Sequence, residues 1–133
     1  MCFSGRFASS EEAVKYFTTQ CGLMGYLKTT DGIEISRRAA SGDKEAGLIY
    51  NAMAYQIAKE IGSEAAVLCG RVDAVILTGG FAHDKLLTGW IKERVSFIAP
   101  VIIMPGEDEL TALMEAARRA LSGEEEVRVY KAL

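Results

Sequence analysis

An unbroken apolar run, Val75-Ile76-Leu77, passes into Thr78-Gly79-Gly80 and then into an amphipathic segment that opens at Asp84. Apolar residues without alternation predict a strand buried on both faces, as found in parallel or mixed sheets covered by helices. The two glycines stand where the strand must leave the sheet. They permit φ > 0 and let a ligand approach the backbone with no Cβ in the way. Asp84 is placed to cap a helix over 85–95, with Leu86, Leu87, Trp90, Ile91 and Val95 on one face. Strand, glycine turn and helix N-terminus, in that order, present a ligand site at the carboxyl edge of an open α/β sheet. The residues alone leave two uses open: a ligand-binding turn, or a tight β–α turn that needs glycine for conformation only. The turn is neither a Walker loop nor a GxGxxG dinucleotide fingerprint.

The rest of the chain supplies helices to cover such a sheet. Ser9 and Glu12 form an S-x-x-E capping box for a helix through about Gln20, with Ala13, Val14 and Phe17 as its apolar side. The apolar stretch 22–27 is broken by Gly25 and reads as a turn or a short irregular strand. The TTDG loop at 29–32 precedes a short helix over 33–40, which Ser41-Gly42 ends. Asp43 then caps the longest segment, 44 to about 69, where Ala46, Ile49, Tyr50, Met53, Ala54, Ile57, Ala58, Ile61, Ala65 and Leu68 recur at helical spacing. So long and apolar a helix belongs at the centre, and Gly70 stops it. A second strand is expected at 101–104, with Pro100 just before it because proline cannot donate to a ladder. Pro105-Gly106 turns the chain into a last helix to about Leu121, with Leu110, Leu113, Met114, Ala117 and Leu121 inward. Val127 to Tyr130 suit an edge strand. With no repeat or linker, residues 1–133 read as one domain.

A chain of 133 residues, half apolar and a quarter charged, can bury a core and has a globular composition. Its net charge of -3, with basic residues interleaved among acids, gives no reason to expect nucleic acid. Cys2, Cys21 and Cys69 share no metal or redox spacing, and their odd number fits a reducing compartment. Cys69 is expected to pack near the end of the long helix. The single histidine, His83, rules out a histidine-rich metal cluster. Neither a secretory leader nor a bilayer-spanning run is read, so no membrane partner and a cytoplasmic location are the expectation.

Three further sets of residues are candidates for chemistry. Glu107, Asp108 and Glu109 occupy the first turn of the last helix, where carboxylates complement the helix dipole. They also suit a carboxylate at the sheet edge beside Gly79-Gly80, able to hold Mg²⁺ directly or through water, if the two strands are parallel. Asp31 fits a turn or N-cap aspartate. His83 has no Cys or Ser-Asp pattern around it that would make it a catalytic base. Lys44, Lys59 and the pair Arg37-Arg38 read as solvated faces.

The order of segments carries more than any one motif. GLMGYLKTTD, then SGDKEAGLIYNAMAYQIAKEIGSEAAVLCGRVDAVILTGGFAHD, then RVSFIAPVIIMPGEDELTALMEAARRAL resembles the C-terminal half of the butyrate kinases. These are acyl kinases related to acetate kinase, in the superfamily of actin, hexokinase and the heat-shock chaperones. The resemblance covers almost the whole chain, and AMAYQIAKEIG, LTGG and PGEDE are its specific parts. It implies a ribonuclease-H-like α/β domain, a mixed sheet flanked by helices, from a two-domain kinase that holds ATP or ADP in its cleft. Such enzymes transfer a phosphoryl group between ATP and a short-chain carboxylate.

By that resemblance Thr78, Gly79, Gly80, Phe81 and Ala82 match the adenosine-binding motif, with His83 and Asp84 beside it. Asp31 falls in the stretch that borders the adenine, Ile33 stands where acetate kinases carry an arginine, and Asp84 replaces a common asparagine. Glu107, Asp108 and Glu109 match the segment whose glutamate helps place Mg²⁺. The phosphate-binding turns, the acyl pocket and the catalytic arginine and aspartate of these kinases lie in an N-terminal half with no counterpart in this sequence. The chain alone is therefore expected to bind nucleotide weakly and not to turn over. Its implied partners are an adenine nucleotide and either a second copy or a complementing N-terminal half. The alternative is a non-catalytic dimerisation or assembly module built on the same domain.

Overall fold

The computed structural model describes residues 5–106, 109–127 and 129–130. In chain order the described elements are α1 (Ser10–Thr19), α2 (Gly22–Leu27), α3 (Gly32–Ala40), α4 (Lys44–Val67), β1 (Val75–Gly79), a 3₁₀ turn (Gly80–His83), α5 (Lys85–Val95), β2 (Val101–Pro105) and α6 (Glu109–Leu121).

The long helix is central, as its apolar stripe requires. α4 packs against α2, α3 and α5. Ala46, Tyr50 and Ala54 are buried in one core with Leu27, Ile35, Leu87, Ile91 and Val95. Burial stops half-way along: Ile57 and Ile61 are partly covered, while Val67 and Leu68 are exposed. Cys69 lies just beyond the helix at φ 53 and is exposed, so it does not pack as expected. Arg94 of α5 fastens the two main helices, donating to the Asn51 carbonyl oxygen at 2.9 Å and to the Trp90 main-chain oxygen at 2.7 Å.

Asp43 is the N-cap of α4. Its carboxylate accepts from the Ala46 N–H at 3.0 Å and from Arg38 Nε at 2.9 Å. Those two donors, the backbone one first, hold the Asp43 carboxyl below its ordinary pKa. An acid with a depressed folded-state pKa contributes stability that is present above the unfolded-state value, about 4, and is lost as pH falls through the folded one. Thermal melts should therefore show Asp43→Asn less stable than the parent at about pH 7, with the gap closing towards about pH 2. An unchanged gap would mean the carboxylate charge adds nothing to the cap.

Two segments depart from their sequence patterns. Residues 22–27 are helical, not a turn or strand; Lys28 closes the helix in the left-handed region and donates its N–H to the Met24 carbonyl at 3.1 Å. Gly25 reflects close packing rather than a break, since a Cβ there would lie 3.0 Å from the Gln20 carbonyl oxygen. Residues 127, 129 and 130 form no strand and are exposed. Half of the capping box of α1 forms, with Glu12 N–H on Ser9 Oγ at 3.2 Å, while Glu12 Oε2 reaches past the cap to accept from Ala8 N–H at 2.7 Å. The helix nevertheless buries no residue: Val14 and Phe17 are exposed, Phe17 in a ring cluster with Phe7 and Tyr16.

Among the described residues the sheet has two strands and is parallel, not mixed, with Val75 opposite Val101 and Gly79 opposite Pro105. Pro100 begins it as an acceptor, its carbonyl taking the Val75 N–H at 2.9 Å. The expectation that β1 is buried on both faces holds for one face only, and even that face opens at β2, where Ile103 is 40% exposed. Val75 is buried, whereas its neighbour Ile76 is 57% exposed, as are Ile102 and Met104 on the same side at 45% and 57%. The inward face expected of α6 is likewise open, with Leu110 at 84% and Leu121 at 90% exposure.

Candidate nucleotide groove

The parallel register carries both β–α turns to one sheet edge. Gly79 and Gly106 exchange two main-chain hydrogen bonds there, at 3.2 and 3.3 Å. Gly79 has φ 83 and ψ -176, a region open essentially to glycine alone. That conformation turns the chain out of β1 and into the 3₁₀ turn, where Ala82 packs inward and Phe81 and His83 face outward.

Asp84 ends this turn and starts α5. Its Oδ1 accepts from the Leu86 and Leu87 N–H groups at 2.8 and 3.3 Å, and its Oδ2 accepts from the Tyr50 hydroxyl at 2.6 Å. Both carboxylate oxygens are thus engaged within the protein. Tyr50 is fully buried, and that burial, then the bond to Asp84, raises the phenol's pKa well above its ordinary value. The pair locks the turn to the central helix.

Opposite the turn stands the N-terminal half of α3. Asp31 caps it, accepting from Ile33 and Glu34 N–H at 2.9 and 3.3 Å, while Thr29 Oγ1 accepts from Asp31 N–H and donates to Glu34 Oε2. Gly32, the first residue of α3, meets Phe81: a Cβ on Gly32 would lie 2.5 Å from Phe81 Cε1. Between these elements runs an open groove of about 810 Å³. Gly32, Ile33, Ser36, Arg37 and Ala40 form one wall, and Gly80, Phe81, His83, Asp84 and Lys85 the other. Arg37 and Lys85 have no ion-pair partner among the described residues, while Arg38 is held by Asp43 and Glu34. With Asp84 occupied as a cap, the groove is a mainly apolar slot whose uncommitted charges are positive. Such a site suits a flat apolar body carrying anionic groups.

Gly80, Phe81, His83 and Asp84 line the groove as the turn motif suggested. Thr78 and Gly79 lead into it without lining it, Ala82 is core, and Asp31 caps α3 at the rim. Of the metal candidates, Glu109 is exposed at the start of α6, and Glu107 and Asp108 lie outside the described residues. Among the described residues no three His, Cys, Asp or Glu side chains gather as a metal site. The sequence reading brought Asp31 and Ile33 to this side by resemblance but missed Gly32, Ser36, Arg37 and Ala40 of the α3 wall. Gly32, Ser36 and Ala40 recur every four residues, as do Ile33 and Arg37, so one face of a short helix was readable as a small-residue strip edged by an isoleucine and an arginine.

The sequence profile of the acetokinase family matches residues 5–93, well over half of the chain. The chain belongs to the acetokinase family. Butyrate kinase 2 of Clostridium acetobutylicum is 50% identical over 131 residues, which are 98% of this chain and 36% of that relative. This acetokinase-family chain thus spans little more than a third of the relative's length. The matched segment contains both walls of the groove and ends before β2 and α6. No helix among the described residues is long and apolar enough to cross a membrane.

Proposed function

We propose that this chain is the nucleotide-binding part of an acyl kinase that moves a phosphoryl group between ATP and a short-chain carboxylate, butyrate by its similarity to the Clostridium relative. The observation that carries the reading is the groove itself: a glycine turn at a sheet's carboxyl edge with Lys85 on its own wall, facing Arg37 across an apolar slot, neither cation ion-paired among the described residues. The α3 wall and Phe81 take the nucleoside, and Arg37 and Lys85 attract the phosphates. In this reading the domain is ribonuclease-H-like and acts in the cytoplasm. Bound Mg²⁺ would neutralise phosphate charge, with a carboxylate among Glu107, Asp108 and Glu109 as its neighbour; the described residues alone do not build a site for it. Nothing in the groove resembles an acceptor pocket, so the chain by itself is a binder and not a catalyst.

Calorimetric titration with Mg-ADP tests this. A dissociation constant near 1 mM is only about 4 kcal/mol, so the titration has to reach several millimolar. Saturable binding is expected for the parent chain and its loss for Gly80→Asp, which puts bulk and negative charge on the groove wall without touching the strained Gly79. No saturation in a folded sample would overturn the nucleotide reading.

A second reading, an assembly module, is favoured by the open apolar faces of the sheet and α6. It predicts concentration-dependent sedimentation of the same sample with no heat from nucleotide.

A further inference from the structure

Gly32 belongs to no glycine turn and needs no positive φ, yet a Cβ there would run into a side chain of the groove. A methyl group there would come within 2.5 Å of Phe81 Cε1, 3.1 Å of Cδ1 and 3.4 Å of Cζ. These three atoms are one edge of the ring. The first turn of α3 therefore serves as the seat of that edge, and the rest of the ring, 46% exposed, stands in the groove wall.

We propose that Gly32 is a positioning residue for Phe81, and that the seated Phe81 ring is the stacking platform for the base of the nucleotide. The proposal rests on the nucleotide reading of the groove. Its physical basis is twofold. A ring held at one edge against backbone loses little further freedom when a ligand stacks on it, so little ordering cost opposes binding. Stacking a base on an aromatic side chain is worth enough to dominate a weak site; the one other aromatic-sized ring on the walls, His83, lies two residues away on the same turn. The opposite wall offers Ile33 and small residues, which leave width for a flat body between α3 and the turn.

The test separates base from phosphate and positioning from folding. ADP, adenosine and pyrophosphate are titrated into the parent chain, Gly32→Ala, Phe81→Ala and the double variant, each first shown to melt cooperatively. Gly32→Ala is expected to fold, because alanine is the better helix residue and the obstructed atoms belong to a side chain that can swing away. The expected result is adenosine binding by the parent, about tenfold weaker adenosine and ADP binding in each single variant, and a double variant no weaker than Phe81→Ala. That last equality shows Gly32 acting through the ring, which a general loss of fold would not give. Parent-like binding by Gly32→Ala, or losses that multiply in the double variant, would overturn the positioning role. Pyrophosphate binding without adenosine binding would remove the platform while leaving the groove as an anion site. No binding of any of the three by the parent would remove both the platform and the nucleotide reading.

Discussion

Replacing Asp84 with alanine is expected to destabilise the chain by about 3 kcal/mol, the largest loss from any groove residue. One carboxylate performs two jobs there. Its Oδ1 caps α5 through the Leu86 and Leu87 N–H groups, and an N-cap is typically worth about 1 kcal/mol. Its Oδ2 is the acceptor for the hydroxyl of Tyr50, which is fully buried. Without that acceptor the phenol keeps a buried, unsatisfied donor, at a cost of about 1–3 kcal/mol. Tyr50→Phe removes the donor along with the bond and should cost only about 1 kcal/mol. Asp84→Asn keeps one acceptor oxygen, which can cap α5 or accept from the phenol but not both, so its cost should fall between those of Tyr50→Phe and Asp84→Ala, about 1 kcal/mol below the latter. Urea unfolding followed by circular dichroism orders the three variants. If Tyr50→Phe were as damaging as Asp84→Ala, the cost would lie in the Tyr50 contact and not in an orphaned donor. In the double variant Tyr50→Phe with Asp84→Ala, the loss should shrink towards that of the cap alone.

The same pair shows what the sequence could and could not disclose. Asp84 was legible as a helix cap, because an acid before an apolar 3.6-residue stripe has one dominant local use. So were Asp31 and Asp43, and the helices that they cap begin where those residues place them. Local chemistry wrote those features. The bond from Tyr50 to Asp84 joins residues 34 positions apart, and nothing periodic marks it. Gly32 was hidden for a related reason: its role depends on a ring 49 positions later (81 minus 32), and within TTDG it looks like an ordinary turn glycine. The errors at the sheet have another cause. An apolar run reports that a strand wants cover on both faces, not that the cover lies in the same chain, and so Ile76 was assigned a burial that it does not have. The apolar stripe of α6 misled in the same way.

Those uncovered faces bear on the prediction with the largest effect. The chain alone is expected to release no ADP in response to the proposed acceptor, and turnover is expected when the part of the Clostridium relative outside the 131 matched residues is supplied, fused or as a second chain. Phosphoryl transfer is accelerated almost wholly by holding donor and acceptor in line and by placing positive charge around the moving phosphate. In the proposed reading the groove is a slot for a nucleoside with two flanking cations, so it can hold one substrate's handle; the described residues that line it include none to grip the transferred group from the far side. Kinases with all those parts run at about 1–100 s⁻¹, so the assay is a switch between background and a readily measured rate. Binding of the added segment should also reduce dye binding to exposed apolar surface, because a two-stranded sheet with an open face is marginal without further cover. Acceptor-dependent turnover by the chain alone would overturn the division of labour proposed for it. A complement that covers the apolar surface, leaves ADP bound and gives no turnover would instead favour the assembly reading, with the groove kept for binding only.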